Sequence, residues 1–400
     1  MRSLSILKSI FKMHLFRFIN YFYPKRKEIV FFSNPDFTDN SKALFDYFRK
    51  KLPKYKLHWI VKDKQYINKF RKMGISVSII NSLEARFWLL KSKIIINDHC
   101  SSKPLHLVKR QIYVNLWHGI PLKSVGHMDK TDIRKRNYEL NDKNTITIST
   151  SDTVSSLFGA CFHVNAENIY VTGQPRNDKL FSPITDTELL KLVDMESDDF
   201  DRIVFYMPTF RQGYINRKEG RQFDESNIFG FENFNKDKFS SFLEENRILF
   251  LCKLHPFEEK IFKEKLDKLS EYVTLITNND LFENNIDLYS LIAKTDILIT
   301  DYSSVYFDYL LINKPIIFTP TDIEEYRKKR GFVLEPYDFW APGPKAFIQE
   351  QLQNEIIKCL ENSEYYKKER ETVNNIINRY KDNRSSERVA KVIMKKLEVN

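Results

Sequence analysis

The stretch DILITDYSSVYFDYLLINKPIIF, residues 296–318, predicts a strand, a tight turn, a helix and a second strand. Its apolar run at 297–299 is of the kind that a buried parallel strand needs. Asp301 stands where an N-cap belongs, and Ser303 and Ser304 follow in the first helical turn. Free backbone N–H groups and two hydroxyls in that turn would suit a phosphate. An ordinary N-capped helix explains the same residues. This stretch therefore predicts local structure, and by itself it does not establish a phosphate site.

Strands and helices alternate along most of the chain. The predicted strands are 28–33, 56–61, 77–80, 94–97, 111–115, 145–149, 202–206, 248–254, 272–276, 296–300 and 315–318. Helices are predicted at 40–52, 65–73 and 82–91 and through the last 55 residues, with a flexible loop at 212–235. This alternation is typical of βαβ units in a parallel sheet. The sequence therefore predicts an α/β protein.

The chain length of 400 residues suggests two domains. We predict Rossmann-like parallel-sheet domains at 25–180 and at 181–400, the second of which includes terminal helices. Ligands are expected at the carboxyl ends of the strands, in a cleft between the domains. The four cysteines lie far apart without CxxC spacing, which favours a reducing compartment and argues against structural zinc. We predict no metal and no cofactor.

The net charge of +11 is concentrated at the N-terminus. Residues 1–27 contain seven Lys and Arg and no acid, and the rest of the chain is only mildly basic, which argues against a nucleic-acid partner. Apolar residues recur at helical spacing from Leu4 to Phe22, but no apolar run approaches the length of a spanning helix. Residues 1–24 are predicted to lie on an anionic membrane surface. A helix packed on its own domain is the alternative.

Five polar clusters follow predicted strands. They are NLWHGIP (115–121), TGQPRND (172–178), YMPTFR (206–211), KLHP (253–256) and DYSS (301–304). A single histidine is more often structural than catalytic, but five clusters at strand ends are hard to attribute to packing. Histidines, arginines, paired serines and helix-terminal amides together suit phosphate binding and phosphoryl transfer. The P-loop, GxGxxG, kinase and GxSxG motifs are all absent from the sequence.

These segments together resemble the CDP-glycerol glycerophosphotransferase family of teichoic acid synthesis. The matching motifs are WHGIPLKSVG (117–126), TGQPRND, YMPTFR, KLHP, the stretch 296–318, DIEEYRKKRGF (322–332) and APGP (341–344). The resemblance spans roughly 30–345 and is closest to the shorter, primase-like members. It implies a GT-B fold, with 25–180 as the acceptor-side domain and 181–400 as the domain that binds a CDP-polyol donor. It also implies CMP as product and a polyprenyl-diphosphate-linked acceptor at the cytoplasmic face of the membrane, with the enzyme bound peripherally.

The resemblance also implies roles for individual residues. Its catalytic histidines match His118 and His255. Its donor-binding positions match Trp117, Gly119, Ile120, Pro121, Arg176, Pro208, Thr209, Arg211, Pro256, Ser303, Ser304 and Asp308. Ile120 and Gln174 depart from the residues that are common in the family, which leaves the polyol and the acceptor open.

Three functions are compatible with the sequence. The first is transfer of glycerol phosphate in teichoic acid synthesis, or of ribitol phosphate or a capsule unit. The second is a GT-B glycosyltransferase that uses a nucleotide sugar. The third is a binding module without catalysis, which the two histidines and Arg176 disfavour. Release of CMP or of another nucleotide would distinguish them.

Overall fold

The computed structural model describes residues 15–16, 18–99, 110–129, 144–210, 212–213, 217–218, 227–255, 258–259, 262, 266 and 269–399. The chain divides into two compact units. The first contains Met1–His118, Val125–Asp178 and Asp382–Asn400, and the second contains Gly119–Ser124 and Lys179–Lys381. The cleft expected between the domains stays a prediction.

The first unit is built on a parallel sheet. Its strands are β1 Arg26–Phe32, β2 Lys56–Val61, β3 Val77–Ile79, β4 Ser92–Asn97, β5 Ile112–Asn115, β6 Thr145–Ser149 and β7 Ile169–Val171. Their order is β3-β2-β1-β4-β5-β6-β7. The central strands are buried because they are apolar without interruption, as in Ile94–Ile96. The strand order reverses between β1 and β4, so a crevice is expected where these two strands end.

The second unit contains a smaller parallel sheet. The strands of this unit are β8 Arg202–Tyr206, β9 Gln212–Gly213, β10 Arg217–Lys218, β11 Ile248–Cys252, β12 Val273–Leu275, β13 Ile297–Thr300 and β14 Ile316–Phe318. The sheet has the order β12-β11-β8-β13-β14, and β9 pairs antiparallel with β10 beside it. Here the order reverses between β8 and β13, so the corresponding crevice is expected after Tyr206 and Thr300.

Helices connect the strands in both units. The α-helices are α1 Asp39–Lys51, α2 Ile67–Lys72, α3 Leu83–Lys91, α4 Asp152–Phe162, α5 Asp186–Leu189, α6 Lys236–Glu245, α7 Asn278–Glu283, α8 Leu288–Lys294, α9 Val305–Tyr309, α10 Ile323–Lys329, α11 Tyr337–Trp340, α12 Gln349–Glu361, α13 Lys367–Ile377 and α14 Ser385–Val399. Residues 15–16 and 18–22 are also helical. Within the described residues, no helix combines the length and the apolar character needed to cross a bilayer.

The final helix α14 belongs to the first unit, so the prediction of one domain over 181–400 is wrong there. The carboxylate of Asp178 accepts the backbone N–H groups of Ser385 and Ser386 at 2.7 and 2.8 Å. These N–H groups open the helix and have no intrahelical acceptor. Asp178 therefore anchors α14 to the first unit, which explains its assignment.

A second correction concerns 119–124, which belongs to the second unit. Main-chain hydrogen bonds join Ser124 N to Gly331 O at 3.0 Å and Val333 N to Leu122 O at 2.7 Å. The segment DIEEYRKKRGF therefore pairs with the end of WHGIPLKSVG. Such pairing between residues two hundred positions apart cannot be read from local pattern.

The α/β class and the parallel sheets are as predicted, and the strands at 56–61, 145–149 and 202–206 match to the residue. Strand β7 was not among the predicted strands, although the cluster at 172–178 was expected to follow one; β7 ends at Val171, directly before that cluster. The flexible loop predicted at 212–235 is wrong in part, because Ile228, Phe229 and Phe231 are buried in the core of the second unit. The sequence of this segment has no helix or strand periodicity, so its core side chains could not be predicted from the pattern.

Candidate active site

In the first unit, the candidate site is formed by loops at the carboxyl edge of the sheet. Asp98 and His99 directly follow β4, Trp117 and His118 follow β5, and Arg176 follows β7. The strands run parallel, so these loops emerge at the same edge. The sheet thus brings together residues that are widely separated in sequence.

The imidazole of His118 has a defined orientation. Its Nδ1 lies 3.0 Å from the backbone oxygen of Asp98. A carbonyl oxygen only accepts hydrogen bonds, so Nδ1 carries the hydrogen and Nε2 keeps its lone pair. Burial, and next the neighbouring His99, lower the pKa of His118 to about 3, although the bond to Asp98 acts in the opposite direction. His118 is therefore neutral at physiological pH and able to accept a proton at Nε2.

The buried Asp98 and the half-buried His99 form a pair that the sequence prediction missed. Oδ1 of Asp98 lies 2.8 Å from Nδ1 of His99, and the His99 ring stacks on His118 with centroids 4.2 Å apart. Burial raises the pKa of Asp98 well above its usual range and lowers the pKa of His99 to about 4. Both shifts favour the uncharged form of the side chain, which is protonated for Asp98 and deprotonated for His99. The pair therefore carries no net charge. The position of this pair directly after strand β4 is the sequence feature that could have marked it as a candidate site.

Arg176 holds this loop cluster together from a buried position. Its Nη1 lies 2.8 Å from both carboxylate oxygens of Asp39 and donates to the backbone oxygen of His118 at 3.1 Å. Asn40 completes the arrangement by accepting from Arg176 N at 3.1 Å and donating to Trp117 O at 2.8 Å. The prediction that Arg176 binds donor phosphate directly stays a prediction. Its described contacts indicate that Arg176 positions the backbone of residues 117–118.

Trp117 lies in the core of the first unit. Its ring packs against Phe162 with centroids 4.4 Å apart and against His118 at 4.1 Å. The backbone φ of Trp117 is +51°, a left-handed conformation that is uncommon outside glycine. This turn directs the following imidazole toward Asp98. Trp117 therefore supports His118, whereas its predicted donor contact stays a prediction.

In the second unit, Asp301 ties together two loops at the strand reversal. Its Oδ1 accepts the N–H of Thr209 at 2.8 Å, and the hydroxyl of Thr300 donates to Met207 O at 2.7 Å. The loops after β8 and β13 are thus held side by side. Pro208 and Thr209 are buried at this edge.

The prediction that Asp301 caps the following helix is wrong. Helix α9 begins at Val305, and its N-cap position is Ser304, which makes no side-chain capping bond. Asp301 instead accepts N–H groups from Thr209 and from Tyr302. Its carboxylate satisfies backbone donors of the two loops, which a local reading of the sequence could not distinguish from a cap.

The predicted donor residues after β13 differ in their surroundings. Ser303 and Ser304 are half-buried, and within the described part of the chain neither hydroxyl has a hydrogen-bond partner. Asp308 is buried and accepts the hydroxyl of Tyr289 at 2.9 Å. The two serines are available to a ligand, whereas the described contact of Asp308 is internal.

His255 follows β11 at the same edge of the second sheet. Its ring stacks on Phe210 with centroids 4.1 Å apart. Burial first, and then the charges of Lys253 and Lys123, lower the pKa of His255 to about 4. Lys253 is itself buried and forms an ion pair with Glu259. The neighbouring predicted positions Arg211 and Pro256 lie outside the described residues.

The remaining predicted donor residues are in 119–121, which belongs to the second unit. Gly119 has a φ of 152°, which residues with a side chain rarely adopt. Ile120 and Pro121 are buried. The turn after His118 thus depends on glycine, while its next two residues contribute to packing.

Comparison with known proteins identifies a family and several relatives. The family model for CDP-Glycerol:Poly(glycerophosphate) glycerophosphotransferase matches residues 14–395. The chain is 28% identical over 371 residues to the teichoic acid poly(glycerol phosphate) polymerase of Bacillus subtilis (strain 168), a match covering 85% of this chain and 45% of that protein. It therefore spans about half the length of that relative. It is 26% identical over 387 residues to the teichoic acid glycerol-phosphate transferase of Staphylococcus aureus (strain NCTC 8325 / PS 47), covering 93% of this chain and 94% of the relative.

Among solved structures, the wall teichoic acid polymerase TagF is similar to this chain with a TM-score of 0.78 and 23% identity, covering 99% of this chain and 97% of TagF. This likeness shows a shared fold and confirms the GT-B-like α/β class. The family model covers nearly the whole chain. The chain therefore belongs to the CDP-glycerol:poly(glycerophosphate) glycerophosphotransferase family and is an enzyme of that transferase class.

Proposed function

We propose that this enzyme transfers glycerol phosphate, or a related polyol phosphate, from a CDP-polyol donor to a lipid-linked acceptor in the synthesis of teichoic acid or a related surface polymer. The observation that carries the proposal is the hydrogen bond from His118 Nδ1 to Asp98 O, which leaves Nε2 free as a base. Family membership and the names of the relatives support the donor and the polymer.

The reaction that this geometry serves is attack by an acceptor hydroxyl on the β-phosphorus of the donor. The hydroxyl oxygen forms the new P–O bond, and its proton moves to Nε2 of His118. The bond between the β-phosphorus and the bridging oxygen breaks, and CMP leaves with that oxygen. Because His118 is neutral before the reaction, it is ready to receive the proton throughout the physiological pH range.

We assign the second-unit residues to the donor's diphosphate. Ser303 and Ser304 supply hydroxyl donors, and the loops of Pro208–Thr209 and His255 provide the adjoining surface. His255 is neutral without ligand, since its pKa is lowered to about 4. A bound diphosphate would favour its protonated form, so it would stabilise the negative charge that develops during transfer.

Arg176, Asp39 and Asn40 position the base. The Arg176–Asp39 ion pair and the Asn40 side chain both hold backbone oxygens of the 117–118 turn. Misplacement by about 1 Å can cost a hundredfold in rate. These residues therefore contribute to catalysis through the orientation of His118, without contact with the reacting atoms.

The test of the proposed function is release of CMP from CDP-glycerol in the presence of a lipid-linked acceptor. CDP-ribitol and a UDP-sugar serve as alternative donors. We expect CMP release with a CDP-polyol, dependence on acceptor, and loss of at least a hundredfold in His118→Ala. Nucleotide release from the UDP-sugar alone would instead establish a glycosyltransferase.

We also propose that the enzyme acts at the cytoplasmic face of the membrane as a peripheral protein. A lipid-linked acceptor confines the reaction to the bilayer surface. In the described part of the predicted 1–24 helix, Phe18, Tyr21 and Phe22 are exposed, while residues 1–14 and 17 lie outside the described residues. Exposed aromatic side chains beside basic residues suit an anionic bilayer. Vesicle sedimentation of the full-length protein at low and high salt tests this attachment.

A further inference from the structure

His99 and His118 form a stacked pair of imidazoles at the carboxyl edge of the first sheet. Their ring centroids lie 4.2 Å apart, and the ring planes are 19° from parallel. His99 comes shortly after β4, at the point where the strand order reverses and where ligands of such sheets bind. His118 is the proposed base, and its stacked neighbour lies within reach of the same substrate.

Both rings are anchored to Asp98 by the same ring nitrogen. Nδ1 of His118 lies 3.0 Å from the backbone oxygen of Asp98, and Nδ1 of His99 lies 2.8 Å from Oδ1 of its carboxyl group. In an imidazole, Nε2 lies across the ring from Nδ1. Because the two rings are nearly parallel and share this anchor, both Nε2 atoms face away from Asp98 and lie side by side.

The Nε2 end of His99 is accessible to a ligand. The side chain of Asp98 is fully buried, whereas that of His99 is 21% exposed. Among the residues that the structure describes, neither of the two Nε2 atoms has a hydrogen-bond partner. Two polar atoms are thus held in fixed positions by their own rings and can bind a substrate.

The two Nε2 atoms offer different groups to a ligand. Nε2 of His118 has a lone pair, because its Nδ1 donates to a carbonyl oxygen. Burial raises the pKa of Asp98 well above its usual range, which favours the protonated carboxyl group. A hydrogen on Oδ1 of that group forms the observed bond with Nδ1 of His99 as the acceptor, so a neutral His99 carries its own hydrogen at Nε2. The stack therefore presents an acceptor and a donor next to each other.

We propose that His99 binds the hydroxyl beside the attacking one, so that the enzyme selects an acceptor that ends in a vicinal diol. One hydroxyl gives its proton to Nε2 of His118, and the oxygen of its neighbour accepts a hydrogen bond from Nε2 of His99. Hydroxyls on adjacent carbons suit two adjacent nitrogens, whereas an isolated hydroxyl leaves the hydrogen of His99 unpaired. The inference rests on the proposed transfer reaction and names the part of the acceptor that this site recognises.

The experiment compares two synthetic lipid-linked acceptors, with CDP-glycerol as the donor. One ends in glycerol phosphate, which carries a vicinal diol. The other ends in propanediol phosphate, which keeps the terminal hydroxyl but has no hydroxyl on the adjacent carbon. CMP release gives kcat/KM for both acceptors.

The variants separate hydrogen bonding from stacking. His99→Phe keeps an aromatic ring without its nitrogens, and His99→Gln restores a side-chain N–H donor. The matched control is His163→Asn, since His163 is an exposed histidine of the same unit. A thermal melt checks that each variant folds.

We expect the unaltered protein and His163→Asn to prefer the diol acceptor at least tenfold in kcat/KM, because the other acceptor leaves a polar group of the site unpaired. His99→Phe should lower kcat/KM for the diol acceptor at least tenfold and use the two acceptors almost equally. His99→Gln should recover part of the preference. CMP affinity in calorimetric titration should be the same in all of these proteins.

Two results would overturn the role of His99. Equal use of both acceptors by the unaltered protein would show that the site does not bind the neighbouring hydroxyl, and this measurement needs no variant. An equal fall for both acceptors in folded His99→Phe would show that the ring supports His118 and does not bind the acceptor. Absence of CMP release from any CDP-polyol would instead refute the transferase function on which the inference rests.

Discussion

Nδ1 of His118 lies 3.0 Å from the backbone oxygen of Asp98, so the imidazole that follows one strand is oriented by the backbone that follows its neighbour. The contact uses main-chain atoms of Asp98 and does not depend on the identity of its side chain. It selects the tautomer with a free Nε2, which is the form that a general base requires.

Replacement of His118 should affect turnover more than donor binding. We expect His118→Ala to lower kcat by about a hundredfold or more, because general-base catalysis contributes on that scale. CMP affinity should change little, as measured by calorimetric titration. His163→Asn is the control, since His163 is an exposed histidine at the end of α4 in a left-handed conformation that Asn tolerates. Near-normal turnover in His118→Ala would exclude this residue as the base.

The pH dependence of kcat/KM should show no acidic limb near the ordinary histidine pKa of about 6.5. The base must be deprotonated, and burial lowers the pKa of His118 to about 3. Activity should therefore persist as the pH falls through 6.5, to the limit at which the protein stays folded. A pH–rate profile of the free enzyme checks this. Loss of activity centred near 6.5, with the fold intact by circular dichroism, would contradict the assignment.

Ser303 and Ser304 should matter for donor affinity and not for stability. Hydrogen bonds to charged groups contribute about 1.5–3 kcal/mol, so Ser303→Ala/Ser304→Ala should weaken CDP-glycerol binding at least tenfold. The melting temperature should stay within a few degrees of the parent, because neither hydroxyl bonds to the described part of the protein. Titration beside a thermal melt checks both. Unchanged affinity with lowered stability would show that the serines are structural.

Asp301, in contrast to the two serines, should matter for the stability of the fold. Asp301→Ala leaves the buried N–H groups of Thr209 and Tyr302 without their acceptor, at about 1–3 kcal/mol for each group. The loss of stability should exceed the roughly 1 kcal/mol of a helix cap. Asp301→Asn keeps one side-chain oxygen as acceptor and should be milder. Denaturant unfolding of both variants measures the losses. A loss of about 1 kcal/mol or less in Asp301→Ala would show that Asp301 contributes no more than a helix cap does.

Arg176 should influence kcat more than KM for the donor. Arg176→Lys keeps the charge but loses the planar geometry that joins Asp39 and His118 O. We expect a fall in kcat with little change in KM, and a similar pattern in Asp39→Asn. Steady-state kinetics with CDP-glycerol separate the two parameters. A raised KM in Arg176→Lys with normal kcat in Asp39→Asn would show direct phosphate binding by Arg176.

The fold class and the position of most strands could be predicted from the amino-acid sequence alone. Runs such as Lys56–Val61, Thr145–Ser149 and Arg202–Tyr206 are marked by composition and by flanking polar residues, both of which are local properties. The clusters that follow the strands could also be recognised, because a parallel sheet places functional loops where its strands end. The clusters that contain His118 and His255 were recognised in this way, and the catalytic roles of the two histidines stay predictions.

The contacts that these residues make depend on the folded chain and could not be predicted from local sequence. Asp39 and Arg176 are 137 positions apart, and Thr209 and Asp301 are 92 apart, so their bonds depend on strand order and loop path. The same holds for α14, which joins the first unit through Asp178. Local sequence shows which groups can donate or accept, but a polar group takes the partner that the folded chain brings within reach. That is why Asp301, placed like a helix cap in the sequence, instead holds two loops together.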